Sequence, residues 1–130
     1  HIFLKLLREA VQRKNSYRKS KMIFVATDPR GYEIRLTDEC WYNHILVEHP
    51  EMRGRLDDVR RVIETPDYIY QSKYKPSSHL YFLEVGHRPY EAEYVFCVVA
   101  IYQRKMKGYI QTAFLVDNVS KGGKLLWKKP

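Results

Sequence analysis

The longest apolar stretch of the chain covers residues 94–102 and reads YVFCVVAIY. Most of its residues are β-branched or aromatic, a composition that favours a strand. Because successive side chains of a strand point to opposite faces, a strand that is apolar throughout must be covered on both sides. A helix that crosses a membrane needs about 20 such residues. The stretch therefore predicts the central strand of a sheet and no membrane span.

Three further β-prone segments accompany this strand, at residues 68–72, 79–85 and 108–116. The polar loops between the segments have lengths that suit antiparallel neighbours. The second half of the chain is therefore predicted to form a four-stranded antiparallel sheet.

The preceding part of the chain predicts a β-hairpin and two helices. The hairpin pairs residues 22–27 with residues 32–36 across a DPRG turn, in which proline and glycine stand where a tight turn needs them. The first helix begins at a Thr37 cap and runs to Pro50, and the second ends before Pro66. Their apolar faces are formed by Trp41 and Ile45 in the first helix and by Leu56, Val59 and Ile63 in the second. This order predicts an α+β fold with both helices on one face of the sheet.

The net charge of +8 is concentrated at the two ends of the chain. Residues 1–21 carry seven Lys/Arg and one Glu, residues 104–130 carry seven Lys/Arg and one Asp, and the middle is mildly acidic. Two basic ends favour a polyanionic partner, with RNA or DNA preferred over a membrane surface. The alternative is a basic protein with ordinary surface lysines.

Residues 1–21 are predicted to form a basic amphipathic helix and a linker, and residues 22–130 a single domain. The apolar stripe of the helix consists of Phe3, Leu6, Leu7 and Val11. A partner protein could bury this stripe, so the role of the appendage stays open. The first residues lack the features of a signal peptide, and Cys40 and Cys97 are expected to be lone buried thiols. These features predict a reduced, cytoplasmic protein.

Two histidines, His44 and His49, lie five residues apart near the end of the first predicted helix. Imidazole titrates near neutral pH and can donate or accept a proton during catalysis. Alternatively, His44 and Glu48 could provide two metal ligands, but no further ligand cluster follows. The adjacent Asp57 and Asp58 point in different directions on a helix and do not supply the carboxylates of a two-metal nuclease. No metal or other cofactor is predicted.

Other candidate residues lie in the strands and their loops. Alternation predicts that Thr112 shares a face with Ile110 and Phe114, so that a hydroxyl lies among apolar side chains. Tyr81 supplies a phenol in another strand, near basic loops of the kind that contact phosphates. The basic candidates are Lys73, Lys75, Lys121 and Lys124. Each has an ordinary alternative, namely a strand threonine, a core tyrosine, a solvated loop or a packed tail.

Several short motifs follow one another in a characteristic order. They read LTxxxWxxHIxxxHPE over residues 36–51, PD at 66–67, TAF at 112–114 and KG at 121–122, together with Tyr81 and Trp127. This series resembles the phage- and prophage-associated branch of the barnase, EndoU, colicin and RelE-like nucleases. The most specific part of the resemblance is the WxxHI and HPE sequence of the first helix.

The resemblance implies a metal-independent ribonuclease with a helical N-terminal half and a four-stranded antiparallel sheet. In such enzymes the ribose 2′-hydroxyl attacks the adjacent phosphate, which leaves a 2′,3′-cyclic phosphate and a 5′-hydroxyl. By this resemblance His44 and His49 would be the acid and base. Tyr81 and Thr112 would orient or hydrogen-bond the phosphate, and Lys73 lies near the position of a basic strand residue. Members often act as toxins, frequently on transfer RNA, which implies an antitoxin or immunity protein as a partner.

The predicted function is therefore a metal-independent endoribonuclease, a toxin or effector that cleaves RNA, with transfer RNA as a candidate target. The alternative is a non-catalytic nucleic-acid-binding or regulatory module that uses the basic ends of the chain. In that case the histidines are structural. The sequence does not indicate the oligomeric state.

Overall fold

The strands of the protein form a single β-sheet. The computed structural model describes residues 2, 20–86, 92–119 and 123–130. Most of the predicted appendage, residues 1–21, falls outside the described residues, as does Lys121. In the described part the strands are β1 (Met22–Thr27), β2 (Glu33–Thr37), β3 (Tyr68–Gln71), β4 (Ser78–Gly86), β5 (Ala92–Arg104), β6 (Lys107–Val116) and β7 (Leu125–Lys128). Their order in the sheet is β1-β2-β6-β5-β4-β3-β7. The β2–β6 pair is parallel and the other pairs are antiparallel.

The α+β class is confirmed, and so is the central position of residues 94–102, because β5 is the fourth of seven strands. The predicted sheet of four strands is too small. A sheet that ended at β6 and β3 would leave two rows of unpaired backbone groups, which are a template for aggregation. The hairpin covers one of these edges through the β2–β6 pair, and β7 covers the other by pairing with β3.

Two helical segments connect β2 to β3. The first, α1, consists of an α-helical turn (Asp38–Cys40), a π-helical segment (Trp41–Ile45) and a second α-helical turn (Leu46–Glu48). A short 3₁₀ turn (Pro50–Met52) leads to α2 (Leu56–Glu64). As predicted, Thr37 caps α1 by accepting a hydrogen bond from the backbone N–H of Cys40. None of the helices in the described ranges is long and apolar enough to cross a membrane.

The core lies on both faces of the sheet. The larger cluster packs the helices against the sheet through residues such as Trp41, Ile45, Val59, Ile63, Phe96, Val98 and Ala100. A smaller cluster on the opposite face contains Tyr70, Phe82, Val95 and Cys97 and no helix residue. Alternate residues of β5 thus enter different clusters, which explains why this strand is apolar throughout.

The two cysteines are free and buried, as the sequence predicts. Burial raises the pKa of the Cys97 thiol to about 12. Burial, with a smaller effect of Glu39 and Glu48, also raises the pKa of Cys40 to about 12. Both side chains are therefore protonated at neutral pH.

The turn of the first hairpin is held over the sheet by a buried polar network. The phenol of Tyr81 donates a 2.6 Å hydrogen bond to the carboxylate of Asp28, and Arg30 forms a 2.7 Å ion pair with the same oxygen. Arg30 also lies 3.1 Å from Nδ1 of His79 and 4.0 Å from the centre of the Tyr32 ring. Since these contacts join the β1–β2 turn to β4, they attach the hairpin to the centre of the sheet.

His79 takes part in this network as a neutral imidazole. A guanidinium can only donate, so the nitrogen facing Arg30 must accept. Burial, together with the positive charge of Arg30 and against the opposing effect of Asp28, lowers the pKa of His79 to about 4.

The Asp28→Asn substitution should destabilise the protein. The change leaves Arg30 without its carboxylate, and breaking a buried pair in this way costs roughly 3 kcal/mol or more. Tyr81→Phe removes two hydrogen bonds, one donated to Asp28 and one accepted from Arg30, but leaves the ion pair between them, and should cost at least about 1.5–3 kcal/mol. Urea unfolding at pH 7 measures both values. Equal stability of Asp28→Asn and the wild type would contradict the role given to the network.

The protein should lose stability as the pH falls from 6.5 towards 4. In this range the unfolded chain binds a proton at His79 that the folded chain excludes. The contribution of His79 to the free energy of unfolding is therefore complete only above pH 6.5. The slope from this residue is at most about 1.4 kcal/mol for each pH unit. In His79→Asn, whose amide oxygen can still accept from Arg30, that slope should be absent. A stability difference between the two proteins that stays constant from pH 7 to 4 would argue against this account.

Candidate active site

A groove opens where β2 separates from β6. The two strands pair only from Glu33 to Arg35 on β2 and from Lys107 to Tyr109 on β6. Beyond this point the chain turns into α1, and a cavity of about 730 Å³ lies between the helix and β6. It is lined by Ser20, Arg35, Thr37, Glu39, Cys40, His44, Glu48, Gln103, Tyr109, Ile110, Gln111 and Thr112.

The thiol of Cys40 attaches α1 to the edge of β6 that β2 has left. Its sulfur lies 3.2 Å from the carbonyl oxygen of Ile110 and 3.4 Å from that of Gln111, and it donates a hydrogen bond there. A protonated thiol is required for this contact, in agreement with the raised pKa of Cys40. Cys40 is thus a structural residue at the base of the groove.

His44 is paired with Glu39 inside the groove. Nε2 of the imidazole lies 2.9 Å from Oε1 of the carboxylate, and their side chains are only 19% and 13% exposed. This contact leaves the other ring nitrogen for a ligand. The carboxylate also fixes the orientation of the ring, as an acid/base histidine requires.

The path from Glu39 to His44 is not a regular α-helix, because the π-helical segment begins at Trp41 and includes His44. In a π-helix each backbone N–H bonds to the carbonyl five residues earlier, so residues five apart lie one above the other. The N–H of Leu46 bonds in this way to the carbonyl of Trp41. Glu39 and His44 have the same separation. In a regular α-helix, residues four apart lie on the same face, so the sequence pairs His44 with Glu48. For this reason the sequence prediction missed Glu39.

Thr112, on β6, is another of the residues that line the groove. Its hydroxyl oxygen is buried and is the one buried side-chain polar atom of the described residues that lacks a hydrogen-bond partner. Such a group costs about 1–3 kcal/mol and calls for a functional or structural reason.

A β-bulge gives Thr112 its orientation. Ile110 is opposite Ala100 and Thr112 is opposite Val99, so Gln111 is the extra residue between them. The prediction that Ile110 and Thr112 share a face is therefore wrong. Because of the bulge, the side chain of Ile110 points into the core cluster on the helix side of the sheet, whereas the side chain of Thr112 lies on the same face as that of Phe114.

Arg35 brings positive charge to the mouth of the groove. Its guanidinium donates a 2.8 Å hydrogen bond to Oε1 of Gln103 and lies 5.7 Å from the centre of the Tyr109 ring. Two acids, Glu39 and Glu48, also line the groove. The lining is therefore mixed in charge rather than uniformly basic.

His49, the second predicted acid/base residue, is not among the residues that line the groove. Its ring packs against Phe114 at 5.1 Å between centroids, and Nδ1 lies 3.7 Å from a carboxylate oxygen of Glu51. Phe114 and Thr112 are two residues apart on one face of β6, a distance of about 6.8 Å. His49 thus lies beside the groove, against the residue of β6 that follows Thr112 on the same face.

Tyr81 lies apart from this groove. It is fully buried, and its hydroxyl is occupied by Asp28 and Arg30. Burial raises the pKa of this phenol, and the neighbouring charge of Asp28 adds to the effect. Tyr81 is therefore a core residue that holds the hairpin turn, and it is not among the residues that line the groove.

The predicted basic residues fall on a different part of the surface. Lys73 and Lys75 are exposed in the β3–β4 loop, beside Tyr74, which is 88% exposed. The backbone carbonyl of Lys124 accepts a hydrogen bond from Gln71, which brings the start of β7 next to this loop. Three strand spacings, roughly 14 Å, separate β3 from β6. Lys73, Lys75 and Lys124 thus form a patch outside the groove.

No protein-family model, curated protein or solved structure matches the chain. Within the described ranges, no group of three or more His, Cys, Asp and Glu side chains is placed to hold a metal ion.

The Thr112→Val substitution should stabilise the protein. Valine has nearly the same shape and removes the unpartnered hydroxyl, so the free energy of unfolding should rise by about 1–3 kcal/mol. Thr112→Ser, which keeps the hydroxyl, is the matched control and should show no such gain. Denaturant unfolding measures both. A loss of stability in Thr112→Val would mean that the hydroxyl has a partner in solution.

Proposed function

We propose that the chain is a metal-independent endoribonuclease whose active site is the groove between α1 and β6. The observation that carries the proposal is that one groove is lined both by an oriented histidine, His44, and by Thr112, whose buried hydroxyl has no partner among the described residues. Unsatisfied polar groups and oriented imidazoles are features of sites that bind and transform a ligand.

The reaction proposed is attack of a ribose 2′-hydroxyl on the adjacent phosphate. It forms a 2′,3′-cyclic phosphate and expels the 5′-oxygen of the next nucleotide. One group must accept the proton of the 2′-hydroxyl, and another must donate a proton to the leaving oxygen. The negative charge that develops on the phosphate requires hydrogen-bond donors and positive charge.

The residues of the groove suit these tasks. His44, with its ring held by Glu39, is the first candidate for proton transfer. The hydroxyl of Thr112 can donate to a phosphate oxygen, and Arg35 supplies positive charge nearby. His49, beside Phe114, is the candidate for the second proton transfer. Which histidine is the acid depends on the position of the bound phosphate.

The surface outside the groove is consistent with an RNA substrate. The patch formed by Lys73, Lys75 and Lys124 offers phosphate contacts, and the exposed ring of Tyr74 offers a face on which a base can stack. We propose that this patch holds RNA at a distance from the reacting phosphate. We include Lys121 among these phosphate-binding residues because it is three residues from Lys124 in the sequence.

The motif series extends the proposal to family and biological role. We propose that the chain is a distant member of the barnase, EndoU, colicin and RelE-like nucleases and acts as a toxin or effector, with transfer RNA as a candidate target. The consecutive antiparallel strands β3 to β6, with a histidine-bearing helix packed on them, support this proposal. An antitoxin or immunity protein is its implied partner.

Incubation with transfer RNA in excess EDTA tests the proposed activity. The wild type should cleave, and its products should end in 2′,3′-cyclic phosphates. His44→Ala should reduce the rate by roughly 10²–10⁴-fold, the usual contribution of general acid–base catalysis. Thr112→Val should also lose activity although it is more stable, a combination typical of functional residues.

Asn43→Ala is the matched control, because Asn43 precedes His44 on α1 and its side chain is exposed. This variant should cleave at the wild-type rate. Intact RNA with the wild-type protein, or full activity in His44→Ala, would contradict the proposal. RNA binding without cleavage would favour the non-catalytic module.

A further inference from the structure

We infer that the mouth of the groove contains a nucleobase subsite formed by Gln103, Arg35 and Tyr109, which selects bases with two adjacent hydrogen-bond acceptors on one edge. Guanine, through N7 and O6, and cytosine, through N3 and O2, have such an edge. The inference rests on the proposed function, because it concerns the RNA that the groove would bind.

The hydrogen bond between Arg35 and Gln103 fixes which atoms face a ligand. A guanidinium has donors only, so the atom of Gln103 that lies 2.8 Å away must be the amide oxygen. The amide nitrogen, with two N–H groups, is left over. In the part of the chain that the structure describes, no partner for this nitrogen is found. Arg35 retains further N–H donors beside it.

Gln103 and Arg35 together therefore present hydrogen-bond donors to a ligand. Their one remaining acceptor is the second lone pair of the Gln103 amide oxygen, which already accepts from Arg35. Two adjacent donors match two adjacent acceptors, as in the common pairing of arginine with N7 and O6 of guanine. Adenine places an amino donor next to N7, and uracil places its N3–H donor between two carbonyl groups. In either base, a hydrogen-bond donor would face a donor of Gln103 or Arg35.

Tyr109 supplies the remaining element of the subsite. Its ring lines the groove next to Arg35, with the guanidinium 5.7 Å from the ring centre. Aromatic rings bind unpaired bases by stacking, with little preference among the four bases. Stacking would hold the base, and the donors of Gln103 and Arg35 would choose among bases.

The test uses DNA oligonucleotides that contain a single ribonucleotide, since only the phosphate after a 2′-hydroxyl can be cleaved. The base of the ribonucleotide and the base that follows it are varied in all combinations. At one of these two positions, guanine or cytosine should raise kcat/KM over adenine and uracil by roughly 5- to 150-fold, the effect of one bidentate pair.

Gln103→Glu reverses the chemistry of the subsite, because a carboxylate only accepts hydrogen bonds. The preference should disappear or shift towards bases with an amino group. Gln111→Glu adds the same charge to the same groove without the Arg35 contact, and it should keep the preference of the wild type. Loss of the preference in both variants would mean that charge, and not Gln103, determines it.

A binding measurement separates this inference from the proposed activity. Guanosine and cytidine 3′-monophosphates should bind the wild type more tightly than the adenosine and uridine compounds, as measured by calorimetry. That order should be lost in Gln103→Glu and kept in Gln111→Glu. If no RNA is cleaved but this order holds, the nuclease proposal fails and the subsite stands. Equal binding of all four nucleotides, or cleavage without base preference, would overturn the subsite.

Discussion

The short parallel pairing of β2 with β6 is the contact on which the rest of the structure depends. It adds the first hairpin to the antiparallel strands and covers an edge of β6. It also carries the Asp28–Arg30 turn to Tyr81 and His79 on β4. Because the pairing ends at Tyr109, α1 begins beside the remaining edge of β6, and the groove opens between them.

Polar groups in this protein serve two different purposes. The side chains of Asp28, Arg30 and Tyr81 are hydrogen-bonded to one another, which holds two distant segments of the chain in one arrangement. The groove contains a buried hydroxyl, that of Thr112, without a partner, and a histidine oriented by a carboxylate. A paired network stabilises a fold, whereas an unsatisfied group costs stability and calls for a functional or structural reason.

The candidate site could be predicted only in part. His44 and Thr112 are recognisable as chemical types, and the structure brings both to one groove. Glu39 was missed because a π-helical segment changes the spacing of paired residues from four to five. For Tyr81 the sequence left a phosphate contact and a core position both open, since a strand pattern does not reveal that a turn 53 residues earlier occupies its hydroxyl. The three lysines 73, 75 and 124 lie together, but apart from the groove.

The sequence by itself determined the core and most of the elements, with β7 and the π-helical segment of α1 as the exceptions. Residues 94–102 had to be a central strand because both faces are apolar, and Thr37, Pro50 and Pro66 bounded the helices through capping and the loss of backbone donors. Only the tertiary structure decided how the edges of the sheet are covered, where the bulge at Gln111 turns Thr112, and which carboxylate orients His44. These features depend on contacts between distant segments, and such contacts leave no local periodicity in the sequence.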